Sequence, residues 1–195
     1  MKYTILLDSS NTSLTVGIAD KHHLIDSISY ESWQSQSEHM IPELDNLLSK
    51  NNVEKNDIES IIVAIGPGSY TGVRIALSIA KTIATVLPVS LYTVSSLRVL
   101  KDQDAPSICL INARSNRSYI GVYQGSSCLL PDQIMTNEQV INYISCHPEF
   151  HVCGETQYLK IEGTKTNIAA EMFSLQGFLE KVDNPLGVVP VYMRD

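Results

Sequence analysis

Three short apolar runs open the chain, Tyr3 to Leu7, Leu14 to Ala19 and Leu24 to Tyr30, each parted from the next by a polar turn. Runs of that kind read as an antiparallel meander of strands. The period then changes. Met40, Ile41, Leu44, Leu47 and Leu48 recur at helical spacing and predict a helix over about 37–50, with Pro42 tolerated in its first turn. An apolar strand is expected at Ile61 to Ile65, followed by the loop GPGSYTG (Gly66 to Gly72), a long helix from about Val73 to Leu87, and a short strand from Val89 to Thr93.

The polar, proline-bearing stretch Lys101 to Pro106 marks a lobe boundary, which gives lobes of residues 1–103 and 104–195. Beyond it the opening pattern returns. Thr4 to Ala19 matches Ile108 to Tyr123 at a constant offset of 104 residues, so that Leu6 and Leu7 fall on Leu110 and Ile111, Asp8 on Asn112, and Gly17 on Gly121. Both segments read strand, polar turn, strand, as in a chain built by internal repetition. The rest offers a helix near Asn137 to Ser145, a strand near His151, a helix near Ile168 to Val182 interrupted by Gly177, and the tail VVPVYMRD. The second lobe is the shorter and less regular.

The helix after the glycine loop is apolar almost all round. Ile75, Ile79, Ile83 and Val86 form one stripe, and Gly72, Ala76, Ala80 and Ala84 form another of small residues. A helix that is apolar on more than one face is buried on more than one face. Either both contacts lie within this chain, or one of them meets a partner.

Composition narrows the function classes. Of 195 residues 44% are apolar and 18% charged, ample for a packed core. No apolar run approaches the ~18 residues of a membrane span, and the first one turns polar at Asp8, too early for a secretory signal. A cytoplasmic location without membrane contact is the expectation. The net charge of −7, from 14 basic and 21 acidic residues, does not suit a protein that grips nucleic acid unaided. The four cysteines, Cys109, Cys128, Cys146 and Cys153, show no C-x-x-C spacing.

Candidate chemistry is sparse. GPGSYTG sits between strand and helix, where backbone amides can hold an anion, yet it fits neither the Walker nor the dinucleotide spacing. Its glycines can equally serve close packing of strand and helix. Asp8 ends the first strand, where a carboxylate can hold a metal or orient water, or simply start a turn. Asp8, Gly66 and Gly68 are the cofactor-binding candidates. His147 and His151 have the spacing of a helical metal pair, but Pro148 favours a surface turn.

Together these residues resemble the TsaB (YeaZ) family. The matching segments are ILLDSSNTSLTVGIAD (Ile5 to Asp20), IIVAIGPGSYTGVRIALSIAKTIA (Ile61 to Ala84) and LPVSLYTVSSLRVL (Leu87 to Leu100), with INARSNRSYIGVY (Ile111 to Tyr123) and the terminal PVYMRD matching more weakly. The resemblance implies an α/β fold of the actin, sugar kinase and Hsp70 type (ASKHA, ribonuclease H-like), with two duplicated mixed-sheet lobes, the second reduced. It implies a non-catalytic subunit of the bacterial machinery that makes N6-threonylcarbamoyladenosine in tRNA. That subunit pairs with a TsaD-like transferase, is joined by a TsaE-like P-loop ATPase, and meets tRNA only through the complex.

In TsaD the segment after the corresponding helix and strand reads roughly V-H-H-M-E-G-H and binds metal. Here it is Val94-Ser95-Ser96-Leu97-Arg98-Val99-Leu100. Serine and leucine do not replace imidazole as transition-metal ligands, and Asn112 stands opposite Asp8. Neither metal nor cofactor is therefore expected, and no catalytic residue. The family's interface is a bundle of first-lobe helices. The residues offered for it are Met40, Leu44, Leu47, Gly72, Arg74, Ile75, Ala76, Ile79, Ala80 and Ile83, a set that also allows a homodimer when the chain is alone. The rival reading is an enzyme: a small phosphotransferase using Asp8 and the glycine loop, or a glycoprotease-like metallopeptidase.

Overall fold

A computed structural model describes residues 2–32 and 34–193. Arg194 and Asp195 of the PVYMRD segment lie outside the described residues. The opening meander is β1 (Tyr3–Asp8), β2 (Ser13–Ala19) and β3 (Leu24–Glu31). Helix α1 (Gln36–Lys50) leads to β4 (Ile58–Ala64), and helix α2 (Tyr70–Val86) leads to β5 (Ser90–Val94). These strands form one sheet in the order β3-β2-β1-β4-β5, with β4 parallel to both β1 and β5. Pro42 lies in the second turn of α1 rather than the first, because the helix starts at Gln36. The helix runs through it at the expense of one backbone bond.

The second sheet repeats the plan. β6 (Ser107–Arg114), β7 (Arg117–Gln124) and β8 (Ser127–Thr136) form a meander, α3 (Asn137–Cys146) crosses over, and β9 (His151–Gly154) pairs parallel to β6. Its order, β8-β7-β6-β9, matches the first sheet without a counterpart of β5. β8 is the strand that the sequence pattern did not predict. It carries Pro131 and lies at the sheet edge, where a residue without an N–H is tolerated, and its register with β7 shifts there. Thr136 then starts α3 with a reciprocal capping box to Gln139.

The predicted helix 168–182 is α4 (Ile168–Ser174), only seven residues long. A 3-10 turn over Gln176–Phe178 follows, and the chain then runs to the free edge of β5, where the Val182 N–H donates to the Leu91 carbonyl at 2.8 Å. Among the described residues no helix is long and apolar enough to cross a membrane.

Side chains alternate across each sheet. Ile5, Leu7, Val16, Ile18, Ile61 and Val63 point to α1 and α2 and meet Met40, Leu44, Leu47, Ala76, Leu77 and Ala80. From the opposite face, Leu6, Ala19, Ile62 and Ala64 share a core with Cys109, Ile111 and Tyr123 of the second sheet and with Ile168, Ala169 and Met172 of α4. The second sheet's outer face, Ile108, Leu110, Ile120 and Val122, packs on Val140 of α3. The layers are thus helices, sheet, shared core with α4, sheet, helix.

The repeated hairpins differ in register. In the first, Leu6 faces Gly17; in the second, Leu110 faces Ile120 and Gly121 faces Cys109. A constant offset of 104 therefore holds for β1 on β6 but slips by one residue across the pair β2 and β7. The cause is a turn one residue shorter, closed by three consecutive left-handed residues, Arg114, Ser115 and Asn116, with φ of 66°, 50° and 58°.

Candidate functional site

The turn after β1 and the glycine loop after β4 fold onto each other. A Cβ at Gly68 would overlap the Ser10 carbonyl, and one at Gly72 the Ser9 carbonyl. The Ser69 N–H donates to that Ser10 carbonyl at 2.7 Å, and Ser9 Oγ donates to the Gly72 carbonyl at 2.7 Å. Ser69 also caps α2, its Oγ accepting the Gly72 N–H at 3.2 Å. Gly66 adopts a φ of +106°, and a Cβ there would come within 2.6 Å of the Val191 carbonyl. Its N–H donates to Ser96 Oγ at 2.8 Å. The glycines of this loop pack against neighbouring backbone, and the Gly66, Ser69 and Gly72 amides are bound within the chain.

Asp8 is wholly buried. Its Oδ1 accepts the Ser10 N–H at 2.9 Å, and Asn112 Oδ1 accepts the Arg114 N–H at the same distance. Both side chains shape turns, as aspartate and asparagine commonly do. Burial pushes the Asp8 carboxyl up from the usual carboxylate range, against the pull of hydrogen bonds from Ser10 and Ser9. Between the turns of the two sheets lies a cavity of about 330 Å³ lined by Ser10, Asn11, Tyr70, Asn112, Arg114 and Glu155, among others.

The segment Val94 to Leu100 joins the two halves. Ser95 Oγ donates to Asp132 Oδ2 at 2.5 Å and accepts the Leu97 and Arg98 N–H groups. The Tyr123 hydroxyl donates to the other oxygen of Asp132. Burial raises the Asp132 carboxyl, which these two donors oppose, and burial with the adjacent carboxylate holds the Tyr123 phenol far above its ordinary range. A Cβ at Gly121 would strike Asp132, so this glycine makes room for the strut. Nothing in the sequence pointed to Asp132, because its strand was not predicted.

Among the described residues no three His, Cys, Asp or Glu side chains converge as a metal site. His147 ends α3 and stacks on Tyr143, whereas His151 lies on β9 with Nδ1 2.8 Å from Asp102 Oδ2. Cys109 and Cys153 are buried on neighbouring strands, and Cys128 and Cys146 are exposed.

The ten residues offered as a partner face separate into two groups. Met40, Leu44, Leu47, Gly72, Ala76 and Ala80 are buried by the chain itself. The small side chains are what let α2 lie low against the first sheet and the Ser9 turn, so that stripe faces inward. Arg74 is exposed, and Ile75, Ile79 and Ile83 are half-buried along the outer flank. With Ile41 (50% exposed) and Val86 (74% exposed) they border two hollows between α1 and α2, of about 530 and 340 Å³.

The tail returns over α2 at one end of this face. The Val191 N–H donates to the Ile65 carbonyl at 2.7 Å, Lys81 Nζ donates to the Val188 carbonyl at 2.9 Å, and Tyr192 stacks on Tyr70 with ring centres 5.0 Å apart. Arg74 donates to the Tyr70 hydroxyl at 2.6 Å.

The family model described as "TsaD: tRNA N6-adenosine threonylcarbamoyltransferase" matches residues 31–184. The tRNA threonylcarbamoyladenosine biosynthesis protein TsaB of Bacillus subtilis is 33% identical over 143 residues, which is 71% of this chain and 62% of that protein. TsaB of Haemophilus influenzae is 22% identical over 98% of this chain and 93% of its own length. The uncharacterized protein MG208 of Mycoplasma genitalium is 26% identical over 100% of this chain and 96% of its own. In solved structures, YeaZ from Pseudomonas aeruginosa shares the fold, with a TM-score of 0.81 at 21% identity over 99% of this chain and 100% of that one. A family match over most of the chain, two paired sheets of one plan and relatives along its whole length converge: the chain belongs to the TsaD family, in its TsaB (YeaZ) group.

Proposed function

We propose that this chain is a non-catalytic subunit of a bacterial, cytoplasmic machinery for N6-threonylcarbamoyladenosine in tRNA, and that it docks a TsaD-like transferase through the outer face of α1 and α2. The observation that carries the reading is the apolar groove bordered by Ile41, Ile75, Ile79, Ile83 and Val86, with Arg74 at one end. Apolar surface of that kind, rimmed by polar residues, marks an interaction site. The same face favours self-pairing of the isolated chain. A TsaE-like ATPase joins the pair, and tRNA is gripped by other subunits, in keeping with a net charge of −7.

The contacts within the cleft support the non-catalytic reading. Asp8 is sealed in a turn, and Ser95 and Ser96, at positions where TsaD carries histidines, hold Asp132 and the glycine loop instead. We assign no cofactor and no metal, and take the lobes as residues 1–103 and 104–195, with α4 and the tail returning to the first.

The test is calorimetric titration of the full chain with the TsaD-like subunit of the same organism, for the native sequence and for Ile41→Glu. Binding that the substitution weakens tenfold or more supports the assignment. Equal binding by both refutes the docking face, and unaltered tRNA modification after depletion of this protein refutes the function.

A further inference from the structure

Glu155 stands where the hairpin turns of the two sheets face each other. It follows Gly154, whose φ of +92° bends the chain at the end of β9 and whose missing Cβ leaves room for the Leu110 carbonyl. The Glu155 N–H donates to that same carbonyl at 2.9 Å, so its backbone belongs to the second sheet. Its side chain leaves the sheet and enters the cleft. Oε1 accepts the Thr12 N–H of the β1–β2 turn at 3.2 Å, and Oε2 accepts the Asn112 N–H near the end of β6 at 2.9 Å. One carboxylate thus ties a turn of the first sheet to the end of β6 in the second.

Two backbone donors on opposite walls that converge on one carboxylate define a position for an oxyanion. We propose that Glu155 is the resident anion of this position: it occupies an oxyanion site between the two turns and latches the cleft shut from within. Arg114 lines the same cavity of about 330 Å³. A tethered carboxylate competes with free anions at a high effective concentration, so the native cleft takes up neither a small carboxylate nor phosphate. The two sheets are then held as one body.

The experiment uses the full chain as Glu155→Ala and Glu155→Gln. In Glu155→Ala, hydrogen exchange at the Thr12 and Asn112 amides accelerates at least tenfold at both positions, while the core amides of Ile5 and Ile62 keep their native rates. Sodium acetate and inorganic phosphate, titrated at constant ionic strength, raise the melting temperature of Glu155→Ala and slow exchange at the two amides again, with no such response from the native chain. Glu155→Gln retains one neutral acceptor and falls between the two in exchange; it carries the test if the alanine variant does not fold. Acceleration at only one of the amides refutes the bridge. Equal response of native and variant proteins to the anions refutes the oxyanion site and leaves general salt stabilisation as the cause.

Discussion

Asp8 and Asn112 make the same hydrogen bond in the two repeats, each accepting the backbone N–H two residues ahead through Oδ1 at 2.9 Å. The shared contact needs only a carbonyl-like oxygen. A charge on Asp8 adds nothing to it, and the carboxyl is fully buried.

Asp8→Asn keeps that bond and removes the titratable carboxyl. Because burial raises the Asp8 carboxyl, its favourable contribution is complete below the unfolded value of about 3.9 and is lost as pH rises through the folded value. The variant is therefore at least as stable as the native chain at pH 7, and its advantage shrinks towards pH 4. Urea melts at the two pH values check the sign, and about 1.4 kcal/mol corresponds to each unit of pKa displacement.

Asp26 has the opposite sign. Lys50 Nζ lies 2.8 Å from its Oδ2, and Asn51 donates to the same oxygen at 3.0 Å, which holds the carboxyl below its usual range. Its contribution is present above the unfolded value and fades as pH falls through the folded one. Lys50 is largely solvent-exposed, so Asp26→Asn costs under about 1 kcal/mol at pH 7 and less as pH is lowered below the unfolded value, by the same melts.

Lys101 Nζ lies 3.1 Å from Glu171 Oε1 between the two sheets, both side chains almost fully buried. Burial pushes the Glu171 carboxyl up and the neighbouring ammonium opposes it. Lys101→Met alone strands a buried carboxylate and costs about 3–5 kcal/mol. Combining it with Glu171→Leu restores most of the loss, which a double-mutant cycle in urea reads directly.

Ala76→Leu and Ile41→Glu separate folding from docking. Ala76 has no accessible surface, so added methylenes overpack the core at about 1–3 kcal/mol. Ile41 is half exposed, and glutamate there changes stability by no more than about 0.5 kcal/mol. Thermal melts distinguish the two before any partner is added.

Gly68→Ala and Gly72→Ala set a methyl against the Ser10 and Ser9 carbonyls, which cannot swing aside as a side chain would. Each costs about 1–3 kcal/mol or shifts the loop, a magnitude set by steric overlap in a packed region. Gly177→Ala, where a Cβ meets nothing within 4 Å, serves as the matched control.

Much of this architecture was legible in the chain itself. The change from alternating to helical spacing placed β1 to β5 with α1 and α2 within a few residues, and the offset of Asp8 on Asn112 exposed the duplication. The segment Val94 to Leu100 was legible as one without histidine. Periodicity, local glycines and residue chemistry are properties of short segments, and short segments are read without knowing what they touch.

What tertiary structure decided were the choices between faces that local pattern leaves equal. Both stripes of α2 are apolar, but only glycine fits against the Ser9 carbonyl at position 72, so Gly72, Val73, Ala76, Leu77 and Ala80 went inward and Ile75, Ile79 and Ile83 lie half-buried along the outer flank. The shorter second turn slipped β7 by one residue, Pro131 was absorbed at a sheet edge, and Glu155, Asp132 and Tyr192 found partners far away in sequence. Those contacts join residues tens of positions apart, and only the packed chain brings their atoms within hydrogen-bond reach.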